Sequence, residues 1–471
     1  MLRAAYLALL PVAALAVQSP QPWQPSQDNG HYELSPPQPR DVDVDVPPRE
    51  YWEDLAKKES RTLCYLEPLE GKEEEGDDAA SLADALNGAC HSDSLVVLPG
   101  PLYNMRTNIT TRGLRNVHVN LYGRLLWTTD IDYWLSVSMP IGFQNQSTVW
   151  FFGGDGVLFD GHGAGTLDGN GQVWYDWAEG QGNLPHRPMM INWVGLSNSV
   201  VRGVRFVQSQ MWTMTASWSR NLLFEDIYVN NTSNSSHSTL NTDGIDTLWS
   251  DNITLSRWDV TSGDDNVALK GNSSNIFVYD SIFRGGQGVA IGSLGQYDGR
   301  YEHIRNFVGR NITMHDTRYG IYLKTWPGVQ NGWPPNGGGG GLGHAQGITM
   351  EDITLHGART SPFWIWQCEH YDGDMGKDCD SSRFSFADVH YKGFSGTMAE
   401  GVTLAASFRC SAASGGCTNV TVEDFSVTAS DGKPLSDWYC SNVHDYSGFE
   451  CQPFPNTTLS SPEGVPVVLG H

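Results

Sequence analysis

Two short strings carry the residues best suited to chemistry: Asn241-Thr242-Asp243-Gly244-Ile245-Asp246 and, a little further on, Ser262-Gly263-Asp264-Asp265-Asn266. Adjacent acids beside glycine make poor structural cement, because like charges repel and each carboxylate must be solvated or neutralised. Acetal hydrolysis suits them better. Carboxyls with unequal pKa values divide that work, one protonating a leaving oxygen while another activates water. The first reading is therefore a glycoside hydrolase.

These acids need a scaffold, and the chain repeats one theme that supplies it. Ser199-Val-Val-Arg-Gly-Val-Arg-Phe, Asn221-Leu-Leu-Phe-Glu-Asp-Ile-Tyr-Val, Asn252-Ile-Thr-Leu, Asn275-Ile-Phe-Val, Asn311-Ile-Thr-Met, Gly347-Ile-Thr-Met and Asn419-Val-Thr-Val are short β-branched strands bounded by polar or glycine turns. Recurrence at about 20 to 50 residues marks a repeat architecture. Helical segments between the strands are missing, which disfavours a βαβ sheet, and no Trp-Asp blade signature supports a propeller. The expected fold is all-β, a right-handed parallel β-helix whose inward positions form an apolar ladder. A short amphipathic helix from about Asp78 to Ala89, followed by the strand Ser94 to Leu98, is expected to cover the first coil.

The ends and the cysteines say where such a protein works. Arg3 and an apolar run to Ala16 read as a signal peptide over 1–16, too short to span a bilayer. Residues 17–60 form a proline-rich acidic lead-in without helical or strand-length apolar pattern, leaving 61–471 as the catalytic domain. Sequons stand at Asn108, Asn145, Asn230, Asn231, Asn234, Asn252, Asn272, Asn311, Asn419 and Asn456. The 8 cysteines fall as neighbours, Cys64 with Cys90, Cys368 with Cys379, Cys410 with Cys417 and Cys440 with Cys451, and local disulfides are expected in a secreted chain, although sequence leaves connectivity open. A net charge of -24 argues against nucleic acid or an anionic membrane as partner. No Cys-x-x-Cys, His-Glu-x-x-His or calcium-loop pattern is present, so neither metal nor cofactor is expected.

Further strings follow in order: Gly286-Gln287-Gly288-Val-Ala-Ile-Gly-Ser293 and Tyr322-Leu323-Lys324. Together with the two acid strings they resemble glycoside hydrolase family 28, the polygalacturonase and rhamnogalacturonan hydrolase family, from about Cys64 to Cys451. The resemblance implies a right-handed β-helix and an inverting mechanism, with Asp264 as general acid and Asp243 and Asp265 holding and deprotonating the attacking water. The family's Gly-His-Gly carries Gln287 here, and its Arg-Ile-Lys carries Tyr322 in place of arginine while keeping Lys324. Asp264 and Asp265, being consecutive, would face opposite sides of a regular strand, so one shared cleft requires a local bend that Gly263 makes easy. An acid–base separation of about 6.5 to 9.5 Å would admit water and predict inversion.

Lys324 is the expected clamp for an acidic sugar, and Gln287, Asn241, Tyr322 and Trp326 complete the expected substrate contacts, Trp326 as a stacking wall chosen over Trp333, Trp364 and Trp366. Gly292-Ser293-Leu294-Gly295-Gln296-Tyr297 and Lys324-Thr325-Trp326 resemble the exo-acting fungal branch. That branch implies a secreted monomer releasing galacturonate or rhamnose from the non-reducing end of a pectic polysaccharide or oligosaccharide. Loss of the family arginine makes rhamnose as good a candidate as galacturonate, because a site short of a cation binds a carboxylate less well. The alternatives are a pectate-lyase-like β-helix enzyme and a non-catalytic surface solenoid.

Overall fold

The computed structural model describes residues 45–69, 76–371, 378–455, 458–460 and 466–468. The expected signal peptide, most of the lead-in and the sequon at Asn456 lie outside them.

Strands that alternate apolar and polar residues can bury one face only by stacking, and this chain stacks them coil upon coil. Thirty strands join one sheet system, and its pairings are parallel, each strand bonding to its counterpart in the next coil. The result is a right-handed parallel β-helix, as the repeats predict. Five strands bear on the site: β1 (Ile245–Leu248), β2 (Asp265–Leu269), β3 (Gly288–Leu294), β4 (Tyr319–Thr325) and β5 (Ser361–Trp366). Their inward positions align as Ile245, Val267, Val289, Ile321 and Phe363, with Thr247, Leu269, Ile291, Leu323 and Ile365 aligned in the next inward column. All five members of the first ladder are buried, and burying each aliphatic side chain contributes about 1.5 to 3 kcal/mol.

The turns carry a ladder of their own. Asn198, Asn221 and Asn252 occupy the same corner of successive coils with left-handed backbones (φ 49°, 54° and 54°). Each amide Nδ2 donates to the side-chain oxygen one coil back, Asn221 to Asn198 at 2.9 Å and Asn252 to Asn221 at 3.0 Å. Asparagine tolerates this backbone because its short side chain bonds locally.

Both ends of the cap differ in legibility. Helix α2 (Asp78–Asn87) forms where expected, with Asp77 accepting from the Ala79 amide at 3.1 Å and Ala79, Leu82 and Leu86 buried. The expected featureless lead-in is corrected: Arg49–Glu59 forms α1, an 11-residue helix. Trp52 and Ala56 are buried on Leu95 and Val97 of the first coil with Leu55 packed beside them, and these three stand at i, i+3 and i+4, a helical period little longer than one turn. All four expected disulfides are present. Asn231 is buried, accepts from the Ser209 amide at 2.8 Å and donates to Thr213 at 2.8 Å, so that sequon is not displayed at the surface.

Candidate active site

The outward column of β1 to β5 reads Asp246, Ala268, Ala290, Tyr322 and Trp364. The two alanines leave a hollow, and the Tyr322 side chain reaches back across it to donate its hydroxyl to Asp265 Oδ1. The next outward positions place Lys270 and Lys324 beside the same hollow. Lys324 Nζ lies 3.4 Å from Asp265 Oδ2 and donates to the Tyr322 hydroxyl at 2.8 Å. Lys270 Nζ lies 3.1 Å from Asp246 Oδ1, 3.9 Å from Asp265 Oδ2, and donates to the Gly292 carbonyl at 3.0 Å.

Asp243, Asp264 and Asp265 converge, with one oxygen of each within 4.8 Å of the others. The bend that allows this covers Gly263 and Asp264, before β2 begins, as expected, and the register slips between Asp265 and Val267. Gly263 matters for a second reason as well: a Cβ there would collide with Thr239 Oγ1 and with the Thr239 carbonyl oxygen, so only glycine admits the neighbouring segment. Asp264 Oδ2 accepts from the Asn241 backbone N–H and its amide, both at 3.2 Å, and Oδ1 accepts from the Asp265 N–H at 3.0 Å. Asn241 holds a left-handed backbone (φ 59°) and also accepts from the Asn183 N–H at 2.6 Å.

One oxygen of each acid lies within 4.8 Å of the others, a gap that one molecule of water fills. Two hydrogen bonds of about 2.8 Å span up to about 5.6 Å.

Crowding and burial set the protonation. Burial, reinforced by Asp264, Asp246 and Asp265, pushes Asp243 well above the usual carboxylate range. Burial and then Asp265 push Asp264 up to about 6, against the opposing pull of Lys324. Asp246 is pushed up to about 7 by burial although Lys270 pulls the other way. Burial opposes charge on Lys324 and Lys270, but the facing carboxylates, Asp265 for the first and Asp246 for the second, overcome it and hold both ammonium groups above their ordinary range.

Asp243, Asp264, Asp265, Lys270 and Lys324 line a cavity of about 530 Å³, with Asp246 buried behind them. Of the expected site residues, Asp243, Asp264, Asp265, Asn241, Gln287, Tyr322 and Lys324 all line it. Trp326 does not. It is buried behind the wall, its ring edge-on to Tyr371 at 5.1 Å, because the chain turns inward after Thr325. Trp364 and Trp366 line the cavity in its place, while Trp333 is exposed away from it. Lys324 also faces Asp265 and Tyr322.

Sequence reasoning missed Lys270, Arg318, Glu369 and Tyr371, all of which line the cavity. Lys270 had a signal, since period-two alternation from Asp246 through Ala268 places position 270 on the same face. Loop residues such as Gln144 and Asn183 had none. Gln144 belongs to the tip of a hairpin, Met139–Pro140 with Ser147–Thr148, that crosses to the loop after β3: its N–H donates to the Tyr297 hydroxyl at 2.7 Å, its amide meets Gln296, and Phe143 packs on Tyr297.

Comparison with known proteins agrees with this geometry. The profile described as "Glycosyl hydrolases family 28" matches residues 118–451. "Alpha-L-rhamnosidase rgxB" of Aspergillus niger is 41% identical over 393 residues, covering 83% of this chain and 90% of that protein. "Exopolygalacturonase X-1" of Emericella nidulans is 32% identical over 373 residues, covering 78% and 84%. Among solved structures, the endo-xylogalacturonan hydrolase from Aspergillus tubingensis superposes with a TM-score of 0.70 at 23% identity, covering 83% of this chain and 99% of that one. With its profile, its relatives and its Asn-Thr-Asp and Gly-Asp-Asp strings all in agreement, the chain belongs to family 28 of the glycoside hydrolases.

Proposed function

We propose that the protein is an exo-acting hydrolase of pectic chains that releases rhamnose from the non-reducing end where it is linked to galacturonate. The observation that carries this is the convergence of Asp243, Asp264 and Asp265 in a pocket whose wall is the hairpin seated on Gln296 and Tyr297. A second loop closes the side of the acids toward the earlier coils, where the Asn183 N–H docks on Asn241. A wall behind the terminal sugar admits a chain end and excludes a chain interior.

Asp264 protonates the glycosidic oxygen. It is the most accessible of the three carboxyls, and its raised pKa keeps a proton available in an acidic medium. Asp265, supplied with donors by Tyr322 and Lys324, takes the proton of the attacking water, and Asp243 holds that water from its other side. The base, the water and the acid then act in one displacement with inversion. Proton NMR of the first-formed anomer tests this: an α-linked substrate giving the β sugar first establishes inversion, and the α sugar first overturns it.

Rhamnose is favoured over galacturonate because Lys270 and Lys324 both face carboxylates, leaving neither ammonium free for a terminal uronate. The names of the relatives cover both activities, a rhamnosidase and an exopolygalacturonase. Incubation with rhamnogalacturonan oligosaccharides and with polygalacturonate tests the reading. Rhamnose as the first product, with slow loss of polymer viscosity, is expected; galacturonate alone, or mixed oligosaccharides at low conversion, defeats it. The four disulfides suit an oxidising compartment, and secretion is part of this proposal.

A further inference from the structure

The family arginine replaced by Tyr322 leaves a question that the far side of the cavity answers. Arg318 lines the cavity, and among the described residues its guanidinium makes no hydrogen bond or ion pair; its Nε is buried without a partner, and its Cζ lies 5.4 Å from the Tyr319 ring centroid. An unpaired guanidinium beside an aromatic wall is a fork looking for a planar anion.

The stack fixes where that anion lies. The Gln287 N–H donates to the Asp264 carbonyl at 3.0 Å, and one coil further the Arg318 N–H donates to the Gly286 carbonyl at 2.9 Å. Arg318 therefore stands two strand spacings beyond Asp264, about 10 Å. Asp243 lies on the other side, one coil before Asp265. With the earlier coils closed by the Asn183 loop, the departing sugar and the chain behind it run toward Arg318.

We propose that Arg318 binds the carboxylate of the galacturonate on the leaving-group side of the scissile bond, standing in for the arginine lost at Tyr322. The assignment rests on the exo-pectinolytic reading but is the same whether the terminal sugar is rhamnose or galacturonate, because the residue it grips is the next one. Glu369 lines the same wall, and burial raises its carboxyl, so in an acidic medium it is a donor to sugar hydroxyls and its repulsion of a bound carboxylate is reduced.

Binding and turnover separate this assignment from the reading beneath it. Galacturonate oligosaccharides ending in rhamnose or in galacturonate, each beside the form whose leaving-side carboxyl has been reduced to the alcohol, are titrated calorimetrically into the Asp264→Asn protein. The same titrations follow with Arg318→Gln and Arg318→Lys added, after thermal melting establishes that each variant is folded. The acidic form of at least one pair should bind about 10 to 100 times more tightly than its reduced form, from the strength of a charge-assisted pair. Arg318→Gln should erase that preference and Arg318→Lys should restore part of it. A preference that survives Arg318→Gln, or its absence already in Asp264→Asn, overturns the assignment, as does failure of every oligosaccharide to bind. Hydrolysis of the unmodified oligosaccharides by the wild-type enzyme reports separately on the exo-pectinolytic reading.

Discussion

Two corners of the same β-helix use asparagine with the same left-handed backbone for opposite ends. In the ladder Asn252 donates to Asn221 and Asn221 to Asn198, and Asn198 closes the row on the single carboxylate of Asp155 at 2.6 Å, with no like charge beside it. At the site Asn241 has a comparable φ of 59°, but its amide and N–H donate to Asp264, and beside it three carboxyls crowd within 4.8 Å. One corner has closed its hydrogen bonds to stiffen the coil. The other holds unsatisfied chemistry: Asp243 Oδ1 is buried without a partner. Polar turns therefore divide by whether their donors and acceptors cancel, and residue type alone does not tell them apart.

Breaking the charged corner should remove activity and spare the fold. Asp264→Asn is expected to lower kcat by about 100 to 10,000-fold, the worth of general acid catalysis, while the melting temperature stays level or rises because a buried like charge is gone. Activity within a factor of two of wild type would sink the acid assignment. Asp243→Asn and Asp265→Asn should each be severe, yet the double variant should lose far less than the product of the two, since both act on one water. Multiplicative losses in steady-state kinetics would separate their roles.

Acidity sharpens the comparison. Asp243, Asp246 and Asp264 have folded-state values raised above their unfolded ones, so the folded chain binds protons more tightly and this contribution to stability is lost as pH rises through about 6 and 7. Melting temperature should be a few degrees higher at pH 5 than at pH 8, and turnover should decline as pH passes about 6, where Asp264 loses its proton. A melting profile that rises over the same range would contradict the crowding argument. Asn221→Ala marks the opposite corner: a left-handed backbone without its side-chain bonds should reduce stability by about 1 to 2 kcal/mol, with kcat/KM unchanged. Denaturant titration beside kinetics checks both halves.

Much of this was legible before any coordinates. Repeats of β-branched strands imply stacking, and the acid strings keep their order because the register carries them onto one face. What escaped notice did so for physical reasons. Helix α1 carries its period in three residues only, Trp52, Leu55 and Ala56, and that single turn follows directly on the proline-rich stretch ending at Pro48. Trp326 looked like a sugar platform, but a tryptophan one residue past a strand end follows the turn, not the alternation. Arg318 precedes β4 and reaches the cleft from a coil corner, where neither period two nor a motif marks it.

The hairpin tip at Phe143 and Gln144 meets Gln296 and Tyr297 across about 150 positions of chain. Most other pairings in this molecule join neighbouring coils, so a nascent chain can stack them in order as it leaves the ribosome. The cavity lining from Arg318 to Tyr371 must wait, and so must the wall. Coils carrying Asp243, Asp264 and Asp265 are complete before its second half has been synthesised, and the pocket therefore passes from an open trough to a blind end only late in assembly, after its acids are already in place.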